Sequence, residues 1–151
     1  MKTYKIYIQS ILIPVIIGSI VGLIISKSID YNSLIKPILS PPAILFPIMW
    51  TILYILMGIS YGILKSNDLN DSKIKTIYYL QLFVNFLWSI LFFIFKWRFI
   101  SFLWILLLDI LVIIMIYVFY HKNKLSGLLQ IPYIIWILFA SYLNLAIYIL
   151  N

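Results

Sequence analysis

The chain has 151 residues, of which 65% are hydrophobic and only 10% charged, with a formal net charge of +7 and no cysteine. A soluble domain of this length would have too little polar surface to cover itself, so the composition indicates an integral membrane protein. The missing cysteines exclude a disulfide framework and thiolate metal sites. The basic residues flank apolar runs and form no patch wide enough for nucleic acid, so we expect membrane lipid, and not nucleic acid, as a partner.

Five apolar runs, each close to the ~20 residues that cross a bilayer, account for the chain. They predict helices over about 6–26, 43–65, 74–95, 99–120 and 125–149. The expected fold is therefore an all-α integral membrane bundle of five transmembrane helices, in a single domain over 1–151 and located in the cell membrane as a multi-pass protein. Seven basic residues are expected on the N-terminal side of the membrane and four on the other. Because basic residues are enriched on the cytoplasmic side, this division favours a cytoplasmic N-terminus. The larger group comprises Lys2, Lys5, Lys65, Lys73, Lys75, Lys122 and Lys124, and the smaller group Lys27, Lys36, Lys96 and Arg98.

The first run is too long for the apolar part of a signal peptide and lacks a small-residue cleavage site, so helix 1 is expected to be retained. After it, residues 27–42 end in Lys36-Pro37-Ile38-Leu39-Ser40-Pro41-Pro42. Each proline restricts the residue before it, so this segment cannot be regular helix. A stiff, extended loop that leads into a buried helix is well suited to be a lid.

Helix 2 presents Trp50, Tyr54 and Gly58 at four-residue spacing, which places them along one side of the helix. The pairs Gly18/Gly22 in helix 1 and Gly58/Gly62 in helix 2 allow close backbone approach. Two interpretations of these glycines stay open: packing between helices, which we favour, or contact with a flat ligand.

Helix 3 presents Gln81, Asn85 and Trp88 at i, i+4 and i+7 within a run that has no charge. A side chain that can form hydrogen bonds is costly when it faces lipid, so this stripe is expected to face protein, water or ligand. Which of the three reaches a ligand stays open on spacing alone.

Helix 4 carries Asp109 at mid-depth, where a carboxylate is most costly, so the residue is expected to face inward. A functional role and a hydrogen bond to a neighbouring helix are both open for it. His121, at the end of this helix, is expected to be a solvated interfacial residue and not a metal ligand.

Helix 5 presents Pro132, Trp136, Ala140 and Asn144 at four-residue spacing. Pro132 falls inside the predicted helix and favours a kink there. Trp50 and Trp136 each lie several residues inside a span. Cavity lining and interhelical packing are both open for these two indoles.

No conventional catalytic constellation is evident, because the chain has one histidine, four aspartates, no glutamate and no cysteine. No metal site and no required cofactor are expected. A membrane cavity lined by Trp, Tyr, Phe, Asn and Gln suits a large, flat, mostly apolar ligand such as a porphyrin or a sterol.

Three segments together resemble the TspO/MBR family, the tryptophan-rich sensory or translocator proteins. The stretch 41–58, PPAILFPIMWTILYILMG, is similar to that family's PPxWxFxxxWTxLYxLMG signature. The stretch 81–89, QLFVNFLWS, resembles QLxLNxxWS, and 132–144, PYIIWILFASYLN, resembles PYxxWxxFAxYLN. The motifs occur in the family's order and cover most of the chain.

The resemblance implies a five-helix bundle, often a homodimer, with a pocket under the loop between helices 1 and 2. It implies binding of protoporphyrin IX, related haem-like tetrapyrroles and benzodiazepine-type ligands, with light-dependent porphyrin breakdown in some bacterial members. Carried over to this sequence, the ligand-binding set is Tyr31, Pro41, Pro42, Phe46, Trp50, Tyr54, Asn85, Trp136 and Ala140. Trp50 and Trp136 would also be the photochemical residues of any turnover. Of the helix 3 stripe, the resemblance assigns Asn85 to the ligand and leaves Gln81 and Trp88 to hold helix 3 in place.

The sequence departs from the family pattern in two places. The Trp usual after PPx is Ile44, and the Trp-Tyr pair early in the loop is Asp30-Tyr31, so the lid has lost indole surface. The sterol motif of the family's mitochondrial members needs a Lys or Arg soon after the tyrosine of helix 5. No Lys or Arg follows Tyr142 in this sequence, so cholesterol is not supported as a ligand. Three hypotheses for the function stay open. The first is tetrapyrrole binding as a sensor or regulator, for which photo-oxidative turnover is an open addition. The others are transport of porphyrin or another amphiphile, and a scaffold for other membrane proteins.

Overall fold

The computed structural model describes residues 2–151, and over this range the secondary structure is helical with no strand. The helices are α1 (Thr3–Ile25), α2 (Leu45–Ser66), α3 (Ser72–Ser89), α4 (Arg98–Lys122), α5 (Lys124–Leu128) and α6 (Ile131–Leu150). A five-residue π-helical turn, Ile90–Ile94, extends α3. Five segments are long and apolar enough to cross a membrane, the last formed by α5 and α6 together. The predicted fold class is confirmed.

Helix α1 lies at the edge of the bundle and packs mainly along α2. Three of the four paired glycines make that packing close, as we favoured. A Cβ atom at Gly58 would collide with the backbone of Ile11, while one at Gly62 would lie 2.8 Å from the ring of Tyr7. A Cβ atom at Gly18 would likewise press on the ring of Tyr54, but at Gly22 it would meet nothing within 4 Å. Gly22 therefore faces open space, and the other three glycines serve helix packing.

Local capping explains where α3 begins. Asp71 is its N-cap, and the carboxylate accepts a hydrogen bond of 3.0 Å from the backbone N–H of Ile74. Lys122 pairs with the same carboxylate at 2.9 Å. Both contacts favour the ionised form, the Ile74 hydrogen bond most, and they hold the pKa of Asp71 below its ordinary value.

The last span differs from the prediction, because a turn at 129–130 divides it into α5 and α6. Pro132 lies in the first turn of α6, where the missing N–H would have had no partner within the helix. The predicted kink inside a continuous helix is therefore wrong: the helix is interrupted before the proline. Ser126 in α5 exchanges hydroxyl-to-carbonyl hydrogen bonds with Ser60 in α2, at 2.7 and 2.8 Å, and so fixes the short helix to the bundle.

The intramembrane polar residues face inward. Gln81, Asn85 and Trp88 are 0%, 1% and 7% exposed, so their stripe lies in the core as predicted. Asp109 is also buried and accepts a 2.7 Å hydrogen bond from the hydroxyl of Ser141 on α6. This contact favours the helix-packing role over the functional one.

Candidate ligand-binding cavity

A cavity of about 330 Å³ lies between α1, α2, the end of α3 and α6, beneath the loop that joins α1 to α2. Its lining combines aromatic rings with small and aliphatic side chains. The lining residues are Val15, Gly18, Ser19, Gly22, Ile25, Ile29, Tyr31, Phe46, Pro47, Trp50, Thr51, Tyr54, Trp88, Phe92, Phe93, Ala140, Leu143, Asn144 and Ile147. Ser19 and Gly22 line the cavity and are also exposed, so it opens along α1 toward the hydrocarbon.

Aromatic rings in mutual contact form one wall of the cavity. Trp50 stacks on Tyr54 with ring centroids 5.6 Å apart. Trp136 meets Trp50 edge to face at 6.5 Å and Phe46 at 5.8 Å. Offset and edge-to-face pairs of this kind fix ring orientation as well as excluding water. The two predicted indoles are thus brought together, with Trp50 at the cavity surface.

Trp136 does not itself line the cavity but lies directly behind Phe46 and Trp50. Its side chain is 8% exposed, and its indole N–H has no hydrogen-bond partner among the described residues. A buried donor without a partner costs free energy, so a ligand acceptor that reached this N–H would be stabilised by it.

Tyr31 forms the roof of the cavity. It is 5% exposed, packs edge to face on Phe46 with centroids 5.1 Å apart, and donates a 2.6 Å hydrogen bond to the carbonyl of Pro41. Burial raises the pKa of this phenol above its ordinary value, so the hydroxyl keeps its proton and donates at neutral pH. Pro41 and Pro42 do not line the cavity. Pro41 acts instead as the acceptor that holds Tyr31 in place.

Further contacts fix the remainder of the lid, residues 27–42. The side chain of Asn151 bonds both backbone groups of Ile35, accepting at 3.1 Å and donating at 2.8 Å. Tyr142 donates to the carbonyl of Ile38 at 2.7 Å. Side chains of α6 and of Asn151, the residue after it, therefore hold the middle of the lid by its main-chain groups.

Asn85 lies behind the cavity wall, which corrects its expected place at the ligand. Its carbonyl accepts a 3.0 Å hydrogen bond from the hydroxyl of Tyr54, and its amide donates to the hydroxyl of Tyr133 at 2.7 Å. Tyr133 in turn donates to Gln81 at 2.7 Å. Asn85 is thus occupied in orienting Tyr54, which does line the cavity.

The polar groups at the cavity surface are few and already paired. The Trp88 indole donates to the side-chain oxygen of Asn144 at 3.0 Å, while the Ser19 and Thr51 hydroxyls donate back to carbonyls of their own helices. The described residues contain no cluster of His, Cys, Asp or Glu that could hold a metal ion. A mostly apolar ligand is the best chemical match for this surface.

Comparison with known proteins decides the family. The model of the TspO/MBR family matches residues 10–150, nearly the whole chain. The chain belongs to the TspO/MBR family. It is 44% identical to "Tryptophan-rich protein TspO" of Archaeoglobus fulgidus, over 95% of both chains. It is 37% identical to "Protein CrtK" of Rhodobacter capsulatus (86% of this chain, 83% of the relative) and 32% identical to "Tryptophan-rich sensory protein" of Cereibacter sphaeroides (76% and 72%).

The predicted site residues of this TspO/MBR protein divide into two groups. Five line the cavity: Tyr31, Phe46, Trp50, Tyr54 and Ala140. The other four, Pro41, Pro42, Asn85 and Trp136, do not. Pro41, Asn85 and Trp136 support lining residues through contacts described above, whereas the carbonyl of Pro42 accepts a 3.0 Å hydrogen bond from the backbone N–H of Leu45 and so leads into α2.

Several residues that line the cavity were not predicted to do so from the sequence. Trp88 was expected only to hold helix 3 in place, yet it lines the cavity while bonding to Asn144. Phe92 and Phe93, both within the π-helical turn, also line it. Trp88 carried a detectable signal, since it belongs to the polar stripe. Nothing in the sequence distinguished Phe92 and Phe93 from other apolar residues.

The two departures from the family pattern have different consequences in this TspO/MBR protein. Ile44 is 67% exposed, precedes α2 and does not line the cavity. Asp30 places a carboxylate next to Tyr31, and this carboxylate is paired with Arg98 at 3.0 Å.

Proposed function

We propose that this TspO/MBR membrane protein binds tetrapyrroles such as protoporphyrin IX in the cavity under the lid. The observation that carries the proposal is the aromatic lining of the cavity, which comprises Tyr31, Phe46, Trp50, Tyr54, Trp88, Phe92 and Phe93. Stacked and edge-on rings recognise a flat π-system, and the near absence of free polar groups suits a porphyrin core.

The size and opening of the cavity are compatible with part of such a ligand. Pockets for drug-sized ligands occupy ~300–1,000 Å³, so about 330 Å³ lies at the lower end of the range. A tetrapyrrole would fill the space beside Trp50 and extend through the opening along α1, where Gly22 adds no side chain. Its polar edge would then lie near the lid and the membrane surface.

The proposed role is that of a sensor or regulator, with light-dependent porphyrin breakdown as an added activity. The name of the Cereibacter sphaeroides relative, "Tryptophan-rich sensory protein", supports sensing. The bound porphyrin would absorb light and supply the reactive chemistry, as ligands of this kind do. Trp50 and Trp136 would supply or quench radical character, and the edge-to-face contact between the two indoles at 6.5 Å supports a shared role. Homodimer formation, the cell membrane as location and benzodiazepine-type ligands stay predictions.

A titration in darkness followed by illumination tests the proposal. Purified wild-type protein should quench protoporphyrin fluorescence saturably in the dark and should yield a new absorbing product under light. Trp50→Phe combined with Trp136→Phe should retain dark binding within about tenfold, because phenyl rings preserve most of the apolar contact. The same double variant should lose the light-driven product.

The matched control is Trp97→Phe, which removes an indole that is 51% exposed and lies outside the cavity lining. It should bind and react like the wild type. Porphyrin breakdown at the wild-type rate in Trp50→Phe/Trp136→Phe would rule out the photochemical role. Quenching that never saturates would refute a binding site altogether.

A further inference from the structure

An ion pair ties the roof of the cavity to the beginning of α4. Arg98 Nη2 lies 3.0 and 3.2 Å from the two carboxylate oxygens of Asp30, and Lys96 lies 3.5 Å from one of them. The Arg98 side chain is only 11% exposed and that of Asp30 is 24% exposed. A charge-assisted pair in this partly buried setting is stronger than an exposed surface pair.

Arg98 is itself fixed to the cavity wall. Its Nε donates a 3.1 Å hydrogen bond to the carbonyl of Phe92, and its guanidinium lies 4.5 Å from the centroid of the Phe92 ring. Phe92 belongs to the π-helical turn that ends the span, where carbonyls lack an intrahelical partner. Arg98 therefore satisfies a carbonyl that the helix leaves free and packs on a ring that lines the cavity.

The other partner belongs to the lid. Asp30 immediately precedes Tyr31, whose ring forms the cavity roof. A continuous series of contacts therefore runs from the wall residue Phe92 through Arg98 and Asp30 to Tyr31. The hydrogen bonds at Ile35 and Ile38, which join the lid to Asn151 and Tyr142, are instead between neutral groups.

We infer that the Asp30–Arg98 pair is an electrostatic latch that holds the lid closed over the cavity. Opening the lid at Tyr31 separates Asp30 from Arg98 and exposes the cavity from above. The latch therefore sets how often the roof opens and how fast a ligand enters and leaves. The carboxylate stands where the family pattern has a tryptophan, so this chain closes its lid with charge in place of indole surface.

A spin label on the lid tests the latch without any ligand. The chain has no cysteine, so Asn32→Cys provides a unique labelling site, and Asn32 is exposed beside Tyr31. In detergent or nanodiscs at low salt, adding Asp30→Asn should convert a restricted nitroxide spectrum to a mobile one. Asp30→Glu, which keeps the charge, should stay close to the wild type. Raising the salt concentration should mobilise the wild-type lid only in part, because a partly buried pair is screened less than an exposed one, and should barely affect Asp30→Asn.

The control is Lys122→Gln, which removes the pair with Asp71 at the opposite end of the bundle and leaves the cap of α3 in place. It should leave the lid spectrum unchanged. A double-mutant cycle with Arg98→Gln should be non-additive, because either single change already removes the contact. Equal nitroxide mobility in the labelled protein with and without Asp30→Asn would overturn the latch.

Ligand kinetics give a second readout that rests on the proposed function. Asp30→Asn should raise both the association and the dissociation rate of protoporphyrin, each by about tenfold, the effect expected from losing one charge-assisted hydrogen bond. Unchanged rates in a variant whose lid has become mobile would contradict the role of the latch in ligand entry. A wild-type protein that binds no porphyrin would refute the proposed function, while the spin-label result would still decide the latch.

Discussion

At the scale of single residues, the four paired glycines have unequal roles. Gly58 allows the backbones of α1 and α2 to touch, whereas Gly22 faces open space at the cavity. Gly58→Ala should destabilise the bundle by about 1–3 kcal/mol, the usual cost of overpacking, while Gly22→Ala should not. Thermal unfolding of both variants in the same detergent measures the difference. Equal midpoints for the two variants would show that the close contact at Gly58 is unimportant.

Asp109 is the second residue whose role the structure narrows. It accepts a hydrogen bond from Ser141 within the bundle, and Asp109→Asn preserves an oxygen at that position. We therefore expect the variant to fold, to bind protoporphyrin like the wild type and to leave any flux in proteoliposomes unchanged. Loss of flux with binding intact would instead favour the transport hypothesis.

The burial of single residues could be predicted from the sequence where polar side chains recur along one face of a helix. Gln81, Asn85 and Trp88 share one helical face, and this periodicity correctly placed all three in the core. It could not tell which of them reaches the cavity. The Asn85 side chain is hydrogen-bonded to Tyr54 and Tyr133, while Trp88 lines the cavity. Those assignments depend on partners from other helices, which one helix's pattern does not contain.

At the scale of helices, the cap of α3 gives a pH-dependent prediction. The folded pKa of Asp71 is lowered by its hydrogen bond from Ile74 and by Lys122, so the cap stabilises the fold while the carboxylate is ionised. This contribution is present above the ordinary carboxyl pKa and is lost as pH falls through the lower folded value. Asp71→Ala should therefore melt below the wild type at neutral pH. The gap should narrow in acid, and a gap independent of pH would contradict the cap.

Two features of the helices could not be predicted from hydropathy. The five apolar runs were evident because a bilayer requires ~20 apolar residues for each crossing. The break before Pro132 and the π-helical turn at Ile90–Ile94 change hydrogen bonding without changing composition. The proline signalled an irregularity but not its position. The π-helical turn left no recognisable signal, although two of its residues, Phe92 and Phe93, line the cavity.

At the scale of the whole molecule, the fold encloses a space that no single helix defines. Walls come from α1, α2, α3 with its π-helical turn, and α6, and the roof comes from the lid. The resemblance to the TspO/MBR family gave the location under the lid, and the family is confirmed. The sequence could not reveal the pairing of Asp30 with Arg98, because the two residues are 68 positions apart.

The central claim, that a tetrapyrrole occupies this cavity, is tested most directly by filling it. Gly22→Phe should project a ring into the open space beside α1, whereas Ile20→Phe adds a ring at a position that is 51% exposed and outside the lining. Protoporphyrin fluorescence titrations of both variants and the wild type in the same detergent provide the measurement. We predict that Gly22→Phe weakens binding at least about tenfold while Ile20→Phe binds like the wild type. Wild-type affinity in Gly22→Phe would contradict the account.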